Sequence, residues 1–255
     1  MNKYIILSDI HSNWEALKQL EETVKEFKEN ESQVIFAGDY IDGNFQKADY
    51  GLKVLDYIMD LVQKKKAIAL LGNHDNFWLQ TSQHNEFSYE DWLDNGGNNT
   101  ITTNLGIHDY DFPKIYHILN NEPFLKYTNF LAQLPRKFMT DNILITHAGI
   151  NWDYEIAHQH PDDLLWIRES YIRAEKFVNL NRLDRLIVDN FKRVIVTGHT
   201  PTKYIEKESN NNIVKYTFPC VRYFIDGGSG KDPNGQLNVL VLDESGKELN
   251  QYVLK

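Results

Sequence analysis

Eight side chains that could share acid, base or metal chemistry fall in five short polar clusters. They are Asp9 and His11 in SDIHSN, Asp39 and Asp42 in GDYIDGN, Asn73 and His74 in GNHDN, His147 in HAGI, and His199 in TGHTPT. Carboxylate, amide and imidazole donors without sulfur suit Mn²⁺, Fe or Zn²⁺ better than Ca²⁺, which prefers all-oxygen shells. Mn²⁺ is the expected ion. Asp9 and His11, two residues apart, can reach one ion from a single turn. Asp39, on an adjacent strand about 5 Å away, can bridge to a second ion held by Asn73, His147 and His199. Two divalent transition-metal ions about 3.5–4 Å apart can clamp a phosphoryl group and activate water against it, so the expected reaction is hydrolysis of a phosphate ester or anhydride. His74, beside a ligand, is placed to protonate the leaving oxygen, and Asp42 to hold its imidazole in orientation.

Each cluster follows an apolar run: YIIL, VIFA, AIALL, ILIT and VIVT, with YFI before DGG as a sixth. Runs of this kind, rich in Ile and Val, suit strands covered on both faces. Ligands in open α/β sheets collect beyond the carboxyl ends of such strands. The run 67–71 is therefore expected to stop at Gly72 because the next residues point into a shared site, with the glycine supplying the sharp turn.

Between the first two runs, Trp14, Leu17, Leu20, Val24 and Phe27 recur at helical spacing, with Ser12 or Asn13 placed to cap. A second helical pattern runs from Gln46 to Lys66 through Leu52, Leu55, Ile58 and Leu61 or Val62, giving a right-handed βαβαβ unit over residues 3 to 72. Residues 77–135 are aromatic and turn-rich and are expected to form helices and loops over one sheet edge. Strands return at KFMT and NILIT, a helical region is expected around Pro161 to Phe191, and the tail predicts antiparallel strands with a hairpin at Glu244 to Lys247. The expected fold class is α/β, two stacked mixed β-sheets flanked by helices. It forms one domain over 1–255 with a helical and loop insertion at about 77–135.

The bulk properties exclude several classes. At 255 residues, with 42% hydrophobic and 25% charged residues, the chain can bury a large core and has no disordered arm. A net charge of −9 repels a polyanion, so no nucleic-acid partner is expected; KKK at 64–66 reads as a solvated helix end. The lone Cys220 permits neither an intrachain disulfide nor a thiolate cage. The apolar start of MNKYIILSDIHSN is too short for a signal core or a membrane span, which leads us to expect a cytoplasmic protein without a membrane partner. His84, His108, His117, His158 and His160 are assigned to the surface, and the aromatics of Phe77 to Trp92 to the core.

The five motifs in this order resemble the phosphoprotein phosphatase branch of the calcineurin-like metallophosphoesterases. That pattern reads DxH, GDxxDRG, GNH followed by an acid, HAG, and GH. WLDNGGNNTITTNLG, FLAQLPRKFMT, LLWIRESYI and IDGG are similar to segments of its bacterial serine/threonine protein phosphatase-like members. The resemblance implies a two-sheet sandwich with a dinuclear centre. It makes Asp9, His11 and Asp39 ligands of one ion, Asp39, Asn73, His147 and His199 ligands of the other, and His74 the general acid with Asp42 as partner.

One departure stands out. The arginine of GDxxDRG, which in the family grips the substrate phosphate, is Gly43 here. Glycine cannot mimic a bidentate guanidinium, and Arg168 in LLWIRES is the candidate for the remaining phosphate contact. The expected substrate is a phosphorylated protein, with a dinucleoside polyphosphate such as diadenosine tetraphosphate as the alternative. A non-catalytic binding protein that retains the fold is the alternative of another class.

Overall fold

A computed structural model describes residues 2–44, 50–178 and 189–255. The expected helices starting at Gln46 and running toward Phe191 lie partly outside these residues. Among the described residues, no helix is long and apolar enough to cross a membrane.

Among the described residues, ten strands form two five-stranded mixed sheets. The first comprises β1 (Lys3–Leu7), β2 (Ser32–Phe36), β3 (Ala67–Ala69), β9 (Leu237–Asp243) and β10 (Glu248–Leu254), in the order β10-β9-β1-β2-β3. The second comprises β4 (Lys137–Met139), β5 (Ile143–Thr146), β6 (Val194–Thr197), β7 (Val214–Tyr216) and β8 (Arg222–Phe224), in the order β4-β5-β6-β8-β7. The pairs β1 with β2, β2 with β3, β5 with β6 and β6 with β8 are parallel; antiparallel β9 and β10 close one edge of the first sheet, whose other edge is the parallel β3, and antiparallel β4 and β7 close both edges of the second. The expected hairpin joins β9 to β10.

Strand alternation builds the layers. Ile6, Ile35, Ile145, Val196 and Leu240 face one another in a core between the sheets. Their neighbours Ile5, Leu7, Val34, Phe36 and Val241 point to the helices over the first sheet. Leu144, Ile195 and Phe224 pack beneath the helices over the second. Both faces of each central strand are thus apolar, which is why the runs read as continuous. Each fully buried Ile or Leu contributes about 1.5–3 kcal/mol.

The helix expected over residues 14–28 is broken. It comprises α1 (Trp14–Leu17), α2 (Leu20–Thr23) and a 3₁₀ turn (Lys25–Lys28). Asn13 caps it, accepting from Ala16 N at 3.2 Å. The Gln19 amide donates to Glu15 O at 2.9 Å, and Val24 is extended before Glu26, whose carboxylate accepts from Tyr252 at 2.8 Å. Bonds to the local backbone and to β10 replace the regular ladder, which apolar spacing cannot reveal. By contrast α3 (Gly51–Gln63) is regular and buries Val54, Leu55, Ile58 and Leu61.

From α4 (Asn73–Ser82) to Leu131 the chain is largely helical, through α5 (Glu86–Trp92), α6 (Asn98–Thr103), α7 (Phe112–Leu119) and α8 (Leu125–Leu131). Phe77, Trp78, Tyr89 and Trp92 are buried in the first outer core, whereas Phe87 is 82% exposed. His84, His108, His117, His158 and His160 are all exposed.

Candidate active site

The five polar clusters meet where the two sheets come together. Asp9 and His11 follow β1, Asp39 and Asp42 follow β2, and Asn73 and His74 open α4 beyond β3; His147 follows β5 and His199 follows β6. The loops are zipped by backbone bonds: Asp9 N to Gly38 O and His11 N to Asp39 O, both 3.0 Å, and Gly198 N to His147 O at 2.8 Å. Two further contacts join the sheets. His199 N donates to both carboxylate oxygens of Asp9 at 3.1 and 3.0 Å, and His147 Nδ1 donates to Ala37 O at 2.9 Å.

Gly72 does not make the sharp turn expected of it. Its φ of −96° and ψ of 173° are extended, open to any residue. Its need for hydrogen is steric: a Cβ there would lie 2.2 Å from Asp39 N and Oδ1. The site residues themselves take the left-handed backbone, with φ of 55° at Asp9, 44° at His11, 60° at Asp39, 64° at Asp42 and 65° at His199. Such conformations are uncommon outside glycine and persist where the surrounding structure over-determines them, as at functional sites.

All six expected ligands are buried. Asp39 Oδ2 lies 3.5 Å from His11 Nε2 and 3.4 Å from His147 Nε2, and Asp9 Oδ1 is 4.0 Å from His11 Nε2. Asn73 Oδ1 lies 2.8 Å from His147 Nε2 and 2.9 Å from His199 Nδ1. Donor atoms of His11, Asp39 and His74, and of Asp9, Asp39 and His147, form two groups whose members lie within 4.8 Å of one another, and Asp39 belongs to both.

The donor set fits a pair of divalent ions. A carbonyl only accepts, so His11 Nδ1, 2.9 Å from Ile41 O, and His147 Nδ1, on Ala37 O, both carry hydrogen. Their Nε2 atoms then face Asp39, oriented as in metal-ligating histidines, whose other nitrogen donates outward; on His147 the hydrogen that Nε2 donates to Asn73 Oδ1 is the one a bound ion would replace.

Electrostatics follow from this crowding. Burial opposes charge on Asp39, but the imidazoles of His147, His74 and His11 hold its carboxyl well below the usual carboxylate range. Burial also opposes charge on His147, yet Asp39 and Asp9 beside it push the imidazole up to about 9. Burial pushes His11 and His199 down, reinforced by Lys231 and His147 respectively, toward the neutral form that ligates metal.

His74 is held by a separate network. Its Nδ1 lies 2.8 Å from Asp42 Oδ2, which also accepts from Trp92 Nε1 at 2.8 Å, while Asp42 Oδ1 accepts from Thr100 Oγ1 at 2.5 Å. The indole fits there because residue 97 is glycine; a Cβ would lie 2.3 Å from Trp92 Cδ1. Trp92 and Thr100 were not read from the sequence as site residues, although both lie in the WLDNGGNNTITTNLG segment.

The cavity before these groups has a volume of about 190 Å³ and is lined by His11, His74, Asn95, Arg168, His199 and Lys231, among others. Among the described residues, Arg168 forms no ion pair with the neighbouring Glu169. Its Nη1 donates to His199 O at 3.0 Å and Thr200 Oγ1 at 2.8 Å, while Glu169 pairs with Lys176. Lys231, a second cation absent from the sequence reading, places Nζ 3.1 Å from His74 Nε2. Burial lowers its ammonium, opposed by Asp42 and Asp39. A larger cavity of about 470 Å³ adjoins the same loop at Asn13, Asn44 and Asp232, but no expected ligand lines it.

Bis(5'-nucleosyl)-tetraphosphatase PrpE [asymmetrical] of Anoxybacillus flavithermus is 25% identical over 237 residues, 86% of each chain. The structure of a candidate diadenosine tetraphosphatase superposes with a TM-score of 0.59 at 16% identity, covering 100% of this chain and 94% of the other. The cold-active protein-tyrosine phosphatase of a psychrophile Shewanella species also gives 0.59 at 16% identity, covering 100% and 81%. The family model for calcineurin-like phosphoesterases matches residues 3–227, and with the two-sheet sandwich and the clustered donors this shows that the chain belongs to that hydrolase family.

Proposed function

We propose that the protein is a dinuclear-metal phosphohydrolase that cleaves dinucleoside polyphosphates. The observation that supports it most is Asp39 between the imidazoles of His11 and His147, with the His74–Asp42 pair facing the same cavity. Asp9, His11 and Asp39 would hold one ion and Asp39, Asn73, His147 and His199 the other, with Mn²⁺ preferred and Fe or Zn²⁺ admissible. When bound, the ions supply Lewis acidity toward phosphoryl oxygens and a nucleophilic water at neutral pH.

The chain's own residues do the rest. Arg168 binds phosphoryl oxygens through its guanidinium. His74 gives a proton from Nε2 to the leaving oxygen while Nδ1–H stays on Asp42, which keeps the ring aligned and offsets its positive charge. Trp92 and Thr100 fix the Asp42 carboxylate, so this alignment does not have to be created during reaction.

The nucleotide substrate rests on the similarity to the tetraphosphatase along most of both chains. A serine/threonine protein phosphatase is the second reading, favoured by the WLDNGG segment, whose Trp92 braces Asp42. An assay of diadenosine tetraphosphate, a phosphopeptide and a phosphodiester, each with Mn²⁺ and with chelator, decides between them. Turnover of the phosphopeptide alone would reverse the preference, and no metal-dependent turnover of any would favour the non-catalytic binding protein.

A further inference from the structure

The loop 226–236 after β8 carries Lys231 into the cavity from a direction that the five motifs do not mark. Its ammonium lies 3.1 Å from His74 Nε2 and 3.1 Å from Asn95 O. Beneath it, Gly230 has φ +69°, and a Cβ there would lie 2.0 Å from His11 O, so only glycine lets the loop settle on the ligand-bearing turn. The residue after Gly43 holds this loop: Asn44 N donates to Gly230 O at 2.8 Å and Asn44 Nδ2 to Lys231 O at 3.4 Å. The segment that lacks the phosphate-binding arginine is therefore bonded to the segment that brings in a lysine.

We infer that Lys231 supplies the cationic grip on the scissile phosphoryl group that Gly43 cannot, beside the leaving-group proton donor and in the cavity that Arg168 also lines. The inference rests on the phosphohydrolase reading of the site. Without substrate, the ammonium donates to His74 Nε2. When a phosphoryl group enters, the ammonium passes its hydrogen bond to a non-bridging oxygen, and the freed Nε2 takes a proton from solvent, the proton it then gives to the leaving oxygen. A lysine suits this exchange because it is a rotatable point charge on a flexible stem, whereas a guanidinium presents a fixed fork.

The test compares wild type with Lys231→Met, Lys231→Gln and Lys231→Arg, all loaded with Mn²⁺. Elemental analysis counts the ions, calorimetry with inorganic phosphate measures product binding, and kinetics on diadenosine tetraphosphate and p-nitrophenyl phosphate separate kcat from KM. We expect unchanged metal content in all variants. Phosphate affinity falls about 10- to 100-fold in Lys231→Met and Lys231→Gln, KM rises in step, and Lys231→Arg recovers most of the loss. Phosphate affinity within about twofold of wild type in both neutral variants, with wild type turning over, overturns the assignment. Wild type that holds two ions yet neither binds phosphate nor hydrolyses either compound defeats the phosphohydrolase reading itself, and the lysine's role with it.

Discussion

His74 Nδ1 lies 2.8 Å from Asp42 Oδ2, and the carboxylate is itself fixed by Trp92 Nε1 and Thr100 Oγ1. An imidazole held at one nitrogen by an immobilised anion presents the other in a single direction. Asp42→Asn, which keeps the shape but removes the charge, should lower kcat about 10²- to 10³-fold, and Trp92→Phe about 10-fold. Both variants should retain their metal by elemental analysis. Unaltered kcat in Asp42→Asn would remove His74 from the reaction.

Asp39 is common to both donor groups, so its loss should act on both ions together. Asp39→Asn is expected to weaken metal binding at least about 100-fold, since even outer-shell partners cost 10- to 100-fold. Chelator should abolish turnover in wild type and Mn²⁺ should restore it. An Asp39→Asn protein with two tightly held ions and normal rates would sink the bridging assignment.

Gly198 fits closely beneath the site, because a Cβ there would lie 1.9 Å from Asp9 Oδ2 and 2.1 Å from Ser8 Oγ. Gly198→Ala should cost about 1–3 kcal/mol, read as a lower thermal midpoint, and should also reduce metal affinity. Gly106→Ala separates the two effects. No heavy atom lies within 4 Å of that added carbon, but φ is +70°, so it should cost about 1–2 kcal/mol of backbone strain and leave metal binding intact.

Cys220 is buried, and burial pushes its thiol up to about 12. The thiolate is the reactive form, so at pH 8 only about one molecule in 10⁴ carries it. Labelling of the native protein by a thiol reagent should be slow, should rise about tenfold per pH unit toward 12 while the fold holds, and should finish at once in denaturant. Rapid stoichiometric labelling at pH 8 without denaturant would contradict this environment.

The sequence made the strand ends legible because both faces of those strands are buried and every apolar run stops where a donor follows. Asp9, His11, Asp39, Asn73, His147 and His199 could be paired with predicted strands one at a time, and the fold brings them together. Other features needed the closed chain. Lys231 meets His74 across 157 positions, and Trp92 meets Asp42 across 50, through loops whose length fixes no partner. The left-handed backbone at Asp9, Asp39 and His199 is imposed by neighbours rather than by residue type, and Gly72 is glycine for want of space beside Asp39. The break between α1 and α2 was hidden because Leu17, Leu20 and Val24 keep helical spacing even where the ladder tightens.

The expected ligands come from both halves of the molecule: Asp9, His11, Asp39 and Asn73 from the first sheet, His147 and His199 from the second. On the proposed ligation, a pair of ions at that seam would rivet the layers as well as serve the reaction. Ions at 100 times their dissociation constant would add about 2.7 kcal/mol to folding. Starving the protein of metal would then slacken the joint and silence the catalyst together, making its heat tolerance a gauge of ion supply.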